Sequence, residues 1–178
     1  MIRILAFAGS NSKHSINKQL AIYAAGLIDH VEVDILDLND FELPLYGIDL
    51  EQEEGIPENA HKFIGLIKSA DAIVLSLAEH NGAYSTAFKN LFDWMSRIDG
   101  KLWSDTPMLL MAASPGGRGG KSVLEMARSR FPHMGGNIIS EFSLPLFNTN
   151  FSEEGIIDRE LDQKLKEAVS LLSNAINK

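Results

Sequence analysis

The chain has no cysteine. Disulfides, thiolate catalysis and zinc–sulfur sites are therefore excluded. It is also short of positive charge. Lys and Arg number 16 against 24 Asp and Glu, a net charge of −8. That balance argues against a general nucleic-acid binder or a binder of anionic membranes. No apolar run approaches the length of a membrane span. No secretory signal precedes the first apolar run, so a cytoplasmic protein is expected. Internal repeats, low-complexity tracts and Pro/Gly-rich linkers are missing too. With 178 residues, 45% of them hydrophobic, the expectation is one domain over 1–178 with a real core.

What is present is an alternation of strand-like and helix-like runs. Residues 2–8 read as a buried strand, and Ile16, Leu20, Tyr23, Ala24, Leu27 and Ile28 predict a helix over 16–29. Val31, Val33, Ile35 and Leu36 make a second strand. Residues 38–57, with Pro44, Tyr46, Gly47 and an acidic run, read as a long loop. Pro57 is well placed to start a helix, whose core face is Ala60, Phe63, Ile64 and Ile67. Ala72–Leu77 is apolar on both faces, the mark of an interior parallel strand. A helix over 85–98, a strand over 108–113, a helix carrying Val123, Leu124, Ala127 and Phe131, a strand from Ile138 and a helix over 158–176 follow. The pattern predicts an α/β fold, a five-stranded parallel sheet with helices on both faces; a doubly wound arrangement of such a sheet has the order 2-1-3-4-5.

In such a sheet, ligands bind beyond the carboxyl ends of the strands, where strand order reverses. Loops 9–17, 78–84 and 114–120 follow the first, third and fourth strands, which that order makes neighbours. The first, Gly9-Ser10-Asn11-Ser12-Lys13-His14-Ser15-Ile16-Asn17, leads from strand to helix N-terminus. It reads either as a phosphate site or as a capped turn in which Ser15 or Asn17 closes the helix. The other two loops are small and polar enough to flank a flat ring.

These motifs resemble the NAD(P)H-dependent FMN reductase family, which includes quinone, azo-dye and chromate reductases. The first loop is similar to the family's G-S-x-R-x-x-S-x-N. Glu79-His80-Asn81-Gly82 and Phe88-Lys89-Asn90-Leu91-Phe92-Asp93-Trp94-Met95-Ser96-Arg97 resemble P-E-Y-N-G and L-K-N-A-I-D-W-L-S-R. Ser114-Pro115-Gly116-Gly117-Arg118-Gly119-Gly120 resembles the third flavin loop. The resemblance spans roughly residues 2–145 and implies a flavodoxin-like fold, bound FMN and NADPH or NADH as hydride donor. It implies phosphate contacts from Ser10, Ser12, Ser15, Ile16 and Asn17. Ala78, Glu79, His80, Asn81 and Gly82 would meet the ring, and Ser114, Pro115, Gly116 and Gly117 its other side. No metal and no obligatory acid–base side chain is expected.

Three departures stand out. Ser12 replaces the family's arginine, which removes a bidentate phosphate partner and leaves Lys13 and Lys18 as nearby cations. Ala78 replaces proline and His80 replaces tyrosine. His80 reads as a packing substitute for that tyrosine rather than a proton donor. Arg118 and Lys121 are the candidates for the NADPH phosphate, with a solvated arginine the alternative for Arg118. A lone loop carboxylate such as Glu79 is more often structural than catalytic.

Helix 85–98 carries more apolar residues than one narrow stripe, which suggests a partner copy against it. A deeply buried helix is the alternative. The family resemblance implies a homodimer or homotetramer. Two other functions compete. Gly119-Gly120-Lys121-Ser122 is similar to a nucleotide hydrolase phosphate loop, but that loop needs glycine where Pro115 stands. A flavodoxin-type electron carrier or flavin sensor suits the acidic charge, yet carriers shield the ring with bulky aromatics that these loops lack.

Overall fold

The run Ala72–Leu77 is buried at every position, and the structure puts it in the middle of the sheet. The computed structural model describes residues 1–177. In chain order come β1 (Ile2–Gly9), α1 (Ile16–Gly26), β2 (Val31–Leu36), a 3-10 turn (Leu38–Asp40), α2 (Ile48–Glu54), α3 (Glu58–Ser69) and β3 (Ala72–Leu77). Next are β4 (Glu79–His80), β5 (Ala83–Tyr84), α4 (Thr86–Ile98), β6 (Pro107–Ala113), α5 (Lys121–Arg130), a second 3-10 turn (Phe131–Met134) and β7 (Asn137–Leu144). The last are α6 (Phe147–Asn150), β8 (Phe151–Ser152), β9 (Gly155–Ile156) and α7 (Arg159–Ile176). No helix among the described residues is long and apolar enough to cross a membrane.

The main sheet has five parallel strands in the order β2-β1-β3-β6-β7. This is the expected flavodoxin-like order, with β6 and β7 as the fourth and fifth strands. Alternation along β3 splits the core in two. Ile73, Leu75 and Leu77 face a layer built on α3, α4 and α5. Ala72 and Val74 face α1 and α7. Ala21, Ala24 and Ala25 line the buried side of α1, small enough to let that helix lie close on the sheet.

The structure differs from the sequence reading most over 38–57. This stretch is not a plain loop: it holds a 3-10 turn and α2. No residue of α2 is buried, so no apolar periodicity announced it. It is held from outside. Trp94 Nε1 donates to the Pro44 carbonyl at 2.8 Å, and Asn90 Nδ2 reaches the same carbonyl at 3.0 Å. Tyr46 N donates to Asn90 Oδ1 at 2.8 Å, and the Tyr46 ring meets Trp94 edge-on at 5.0 Å. Arg97 pairs with Glu51 at 2.9 Å. Residues 44–54 thus form a strap over α4.

The strap corrects a second expectation. Phe88, Leu91, Phe92, Trp94 and Met95 of α4 are all buried within the chain. The apolar excess of this helix is covered by the strap and by neighbouring helices, so it no longer argues for a partner copy. Two smaller corrections concern ends and inserts. α1 stops at Gly26, and Phe131 belongs to a 3-10 turn. The antiparallel pairs β4–β5 and β8–β9 were not foreseen.

Tyr84 packs at 5.3 Å from the Phe88 ring and 5.9 Å from that of Phe92. Its hydroxyl is buried without a hydrogen-bond partner, and burial pushes its ionisation up to about 12. A buried unsatisfied hydroxyl costs about 1–3 kcal/mol. Tyr84→Phe is therefore expected to hold stability level or raise it by about 1 kcal/mol in urea unfolding. The unfolded phenol ionises near 10 and the folded one near 12, so wild-type stability should fall as pH rises between them. The Phe variant should lose that slope.

Candidate functional site

β1 ends at Gly9 because nothing larger fits. A Cβ there would lie 2.8 Å from Leu77 Cδ2 and 3.2 Å from Phe88 Cγ. Ser85, buried, donates to the Gly9 carbonyl at 2.7 Å and accepts from Phe88 N at 3.1 Å. One hydroxyl thus caps α4 and fixes the start of the first loop. Two serine turns follow. Ser10 Oγ accepts from Ser12 N at 3.1 Å, and Ser12 Oγ accepts from His14 N at 3.2 Å. Both hydroxyls keep a proton to donate. Ser15 is the N-cap of α1, its Oγ accepting from Lys18 N at 3.1 Å. Ile16 and Asn17 open the helix, where amide N–H groups lack intrahelical acceptors and the dipole is positive. Capped turn and anion cradle are compatible here.

Asn17 is used differently from its neighbours. Its side chain is buried and points at the sheet, away from solvent. Nδ2 donates to the Ala113 carbonyl at 3.2 Å, while Oδ1 accepts from Ala113 N at 2.8 Å and from Ser76 Oγ at 2.7 Å. What Asn17 has left for an anion is its backbone N–H. Lys18 is also committed. Its ammonium pairs with Asp37 at 2.6 Å, and that hydrogen bond is the main reason the Asp37 carboxyl is held below its ordinary range. Lys13, exposed in the loop, is the cation left to answer for the missing arginine.

The second loop is a tight hairpin. β4 and β5 pair antiparallel, and Asn81 and Gly82 between them have φ of 52° and 76°. Two central residues in the left-handed region make the turn that Asn-Gly favours, a signal that sequence reading could have used. Ala78 is buried at its base, while His80, Asn81 and Gly82 are exposed at its tip. His80 is not packed into the core. The Glu79 carboxylate accepts from Val123 N at 2.9 Å. Gly120, the N-cap of α5, has no side chain to cap with, and Glu79 supplies the acceptor from across the sheet edge.

The third loop lies open. Pro115, Gly116, Gly117 and Arg118 are exposed and Ser114 is half-buried. Gly119 and Gly120, at φ of 60° and 73°, turn inward, where added Cβ atoms would sit 2.9 Å from Pro145 N and 2.7 Å from Ala112 Cβ. Arg118 donates to Ser122 Oγ at 3.0 Å, and Lys121 lines a separate hollow of about 520 Å³ towards α7. The positive end of α5 is already met by Glu79. That removes the anion site which a nucleotide-hydrolase loop would need there.

Sequence reasoning missed a groove beside the first loop. Asn11, Leu43, Ala87 and Asn90 line two adjoining hollows of about 340 and 300 Å³, the second bounded by His80 and Thr86. Its outer wall is the 41–45 segment, part of the stretch read as a long loop. Among the described residues, no cluster of His, Asp or Glu is arranged to hold a metal ion.

The sequence of a family described as NADPH-dependent FMN reductase matches residues 2–149. The chain belongs to that family. The quinone reductase of Escherichia coli (strain K12) is 30% identical over 120 residues, which is 67% of this chain and 63% of that protein. The NADPH azoreductase of Bacillus sp. (strain OY1-2) is 32% identical over 123 residues, 69% of this chain and 65% of that protein. The match thus spans less than two thirds of either relative's length. A solved structure of the flavoenzyme NAD(P)H:(acceptor) oxidoreductase FerB from Paracoccus denitrificans superposes with a TM-score of 0.77 at 22% identity. It covers 99% of this chain and 98% of its own, a likeness of fold. In this FMN reductase-family chain, three of the motifs are the loops just described, and the fourth, Phe88–Arg97, lies in α4.

Two outcomes test the local roles. Glu79→Ala is expected to cost about 0.5–2 kcal/mol in urea unfolding, the usual loss for a helix cap. Glu79→Gln should recover much of it, since the amide oxygen still accepts. The folded Asp37 carboxyl ionises below its unfolded value of 3.8, so its stabilisation is present above that pH and lost as pH falls below it. Asp37→Asn should flatten stability against pH in that acid window.

Proposed function

We propose that the protein is an FMN-dependent NAD(P)H oxidoreductase that passes two electrons to a quinone, azo compound, free flavin or similar acceptor. The observation that carries this is the joint placement of three small-residue loops at adjacent strand ends, the first opening into the amides of α1. The donor set fits a flavin phosphate: serine hydroxyls with protons to give, helix-start N–H groups and the Lys13 ammonium. When bound, FMN would supply the redox chemistry, two-electron exchange between reduced nicotinamide nucleotide and the acceptor.

The chain's own part is to bind, orient and expose. Ser10, Ser12, Ser15 and the Ile16 and Asn17 amides would hold the phosphate. Ala78, Glu79, His80, Asn81 and Gly82 would meet one side of the ring, mostly through backbone atoms, and Ser114, Pro115, Gly116 and Gly117 the other. Donors near the ring edge would favour the negative charge of the reduced cofactor. Glu79 acts here through the hairpin that it anchors to α5. Arg118 is the candidate partner of the NADPH phosphate, with Lys121 beyond it on the α7 side. The groove between the first loop and Leu43, where Leu43 and Ala87 stand beside Asn11 and Asn90, would receive the acceptor. We place the protein in the cytoplasm, where reduced nicotinamide nucleotides are supplied. A homodimer or homotetramer is carried forward as what the family resemblance implies.

The test is anaerobic. Purified protein is mixed with FMN, binding is read from flavin fluorescence, and NADPH is added while visible flavin absorbance is followed. Rapid bleaching, with reoxidation by an added quinone, is the expected result. FMN binding without bleaching by NADPH or NADH would favour an electron carrier or flavin sensor. Absence of FMN binding would overturn the proposal.

A further inference from the structure

We propose that Asn17, acting with Ser76, is a positioning residue that sets the preference of the site for a phosphorylated over an unphosphorylated flavin. This rests on the flavin reading above. Asn17 lies in the first turn of α1, at 3% exposure, and both lone pairs of its amide oxygen are taken. Its partner on β6 is chosen by the sheet. The pairing of β3 with β6 ends at Leu77 and Ala112, so β3 leaves Ala113 with N–H and C=O free on that flank. The Asn17 amide bonds both groups, as a neighbouring strand would. Ser76, fully buried on β3, then donates to the same oxygen. A single side chain therefore ties the start of α1 to the ends of two strands.

The N-cap does not do this. Ser15 bonds Lys18 N within its own helix and so adds no side-chain bond to the sheet. Phosphate recognition is sensitive to a shift of the helix on the sheet, because several N–H groups must converge on one anion. The ring loops are braced by other contacts. Glu79 holds the second to α5, and Ser143 Oγ donates to the Gly119 carbonyl at 2.8 Å in the third. Ser114 is bonded in turn to Leu144 and Phe147 through its backbone. Loosening the Asn17 tie should weaken what the phosphate adds and spare what the ring adds.

The experiment measures dissociation constants of FMN and riboflavin by flavin fluorescence for wild type, Ser76→Ala and Asn17→Leu. Ser76→Ala keeps the Asn17–Ala113 pair, so it remains informative where Asn17→Leu folds poorly. The expected result is an FMN dissociation constant raised about fivefold to tenfold in Ser76→Ala and more in Asn17→Leu. Riboflavin affinity should stay within about twofold, the scale of a negligible free-energy change. FMN and riboflavin weakening in parallel would overturn the positioning role, as would unchanged FMN affinity in both variants. A wild type that binds neither flavin would instead overturn the flavin reading and this inference with it.

Discussion

A side-chain amide shut away from water must find its hydrogen bonds inside the protein or pay for their loss. Asn17 finds three, and where it finds them decides the geometry of the sheet's carboxyl edge. The tie fixes α1 against β3 and β6 at once. Ser85 does the same on the other side of Gly9, joining β1 to the start of α4. Between these two buried polar contacts the first loop has little freedom in where it begins and ends. Its middle, Asn11 to His14, is exposed, and the Ser12 hydroxyl and the half-buried Ser10 hydroxyl each keep a proton to donate.

The second and third loops are also bound to each other through a cap borrowed across the edge. Gly120 is required where β6 passes into α5, since a side chain there would strike Ala112. That same glycine cannot cap its helix, and Glu79 from the neighbouring loop does so. A steric demand in one loop thus becomes a hydrogen bond to another. The acid also explains why two loops that each lead into a helix differ in character. The first keeps its positive end open to an anion. The third has its positive end closed by a carboxylate.

The sheet was legible because it is written in buried runs. Ala72–Leu77 is apolar without alternation, and the loops after it are small and polar, so the parallel sheet and its loop-bearing edge follow from the residues, while the strand order came with the family resemblance. The site motifs were legible by family resemblance, though the direction of the Asn17 side chain was not. A one-dimensional pattern cannot say that an asparagine in a phosphate-loop motif faces inward to a strand end. The strap was illegible for a related reason. Its helix buries nothing, and it is retained by side chains of Trp94, Asn90 and Arg97 that lie about forty to fifty positions away. Trp94 and its neighbours looked like surplus apolar surface because their cover has no apolar signature of its own. The Asn81-Gly82 turn was different: its signal was present in the sequence.

The way the strap is held has a further consequence for the groove it borders. The inner wall, formed by α4, is continuous with the main core and opens only when that core does. The outer wall is not uniform. Phe41 meets Phe63 edge-on at 4.9 Å and Leu43 packs against the same core, whereas the chain from Pro44 onward is held by hydrogen bonds, one ring contact and a surface ion pair. The free energy of local opening therefore rises along the wall from the α2 end towards Phe41, so opening begins at the far end of the strap and leaves the sheet undisturbed.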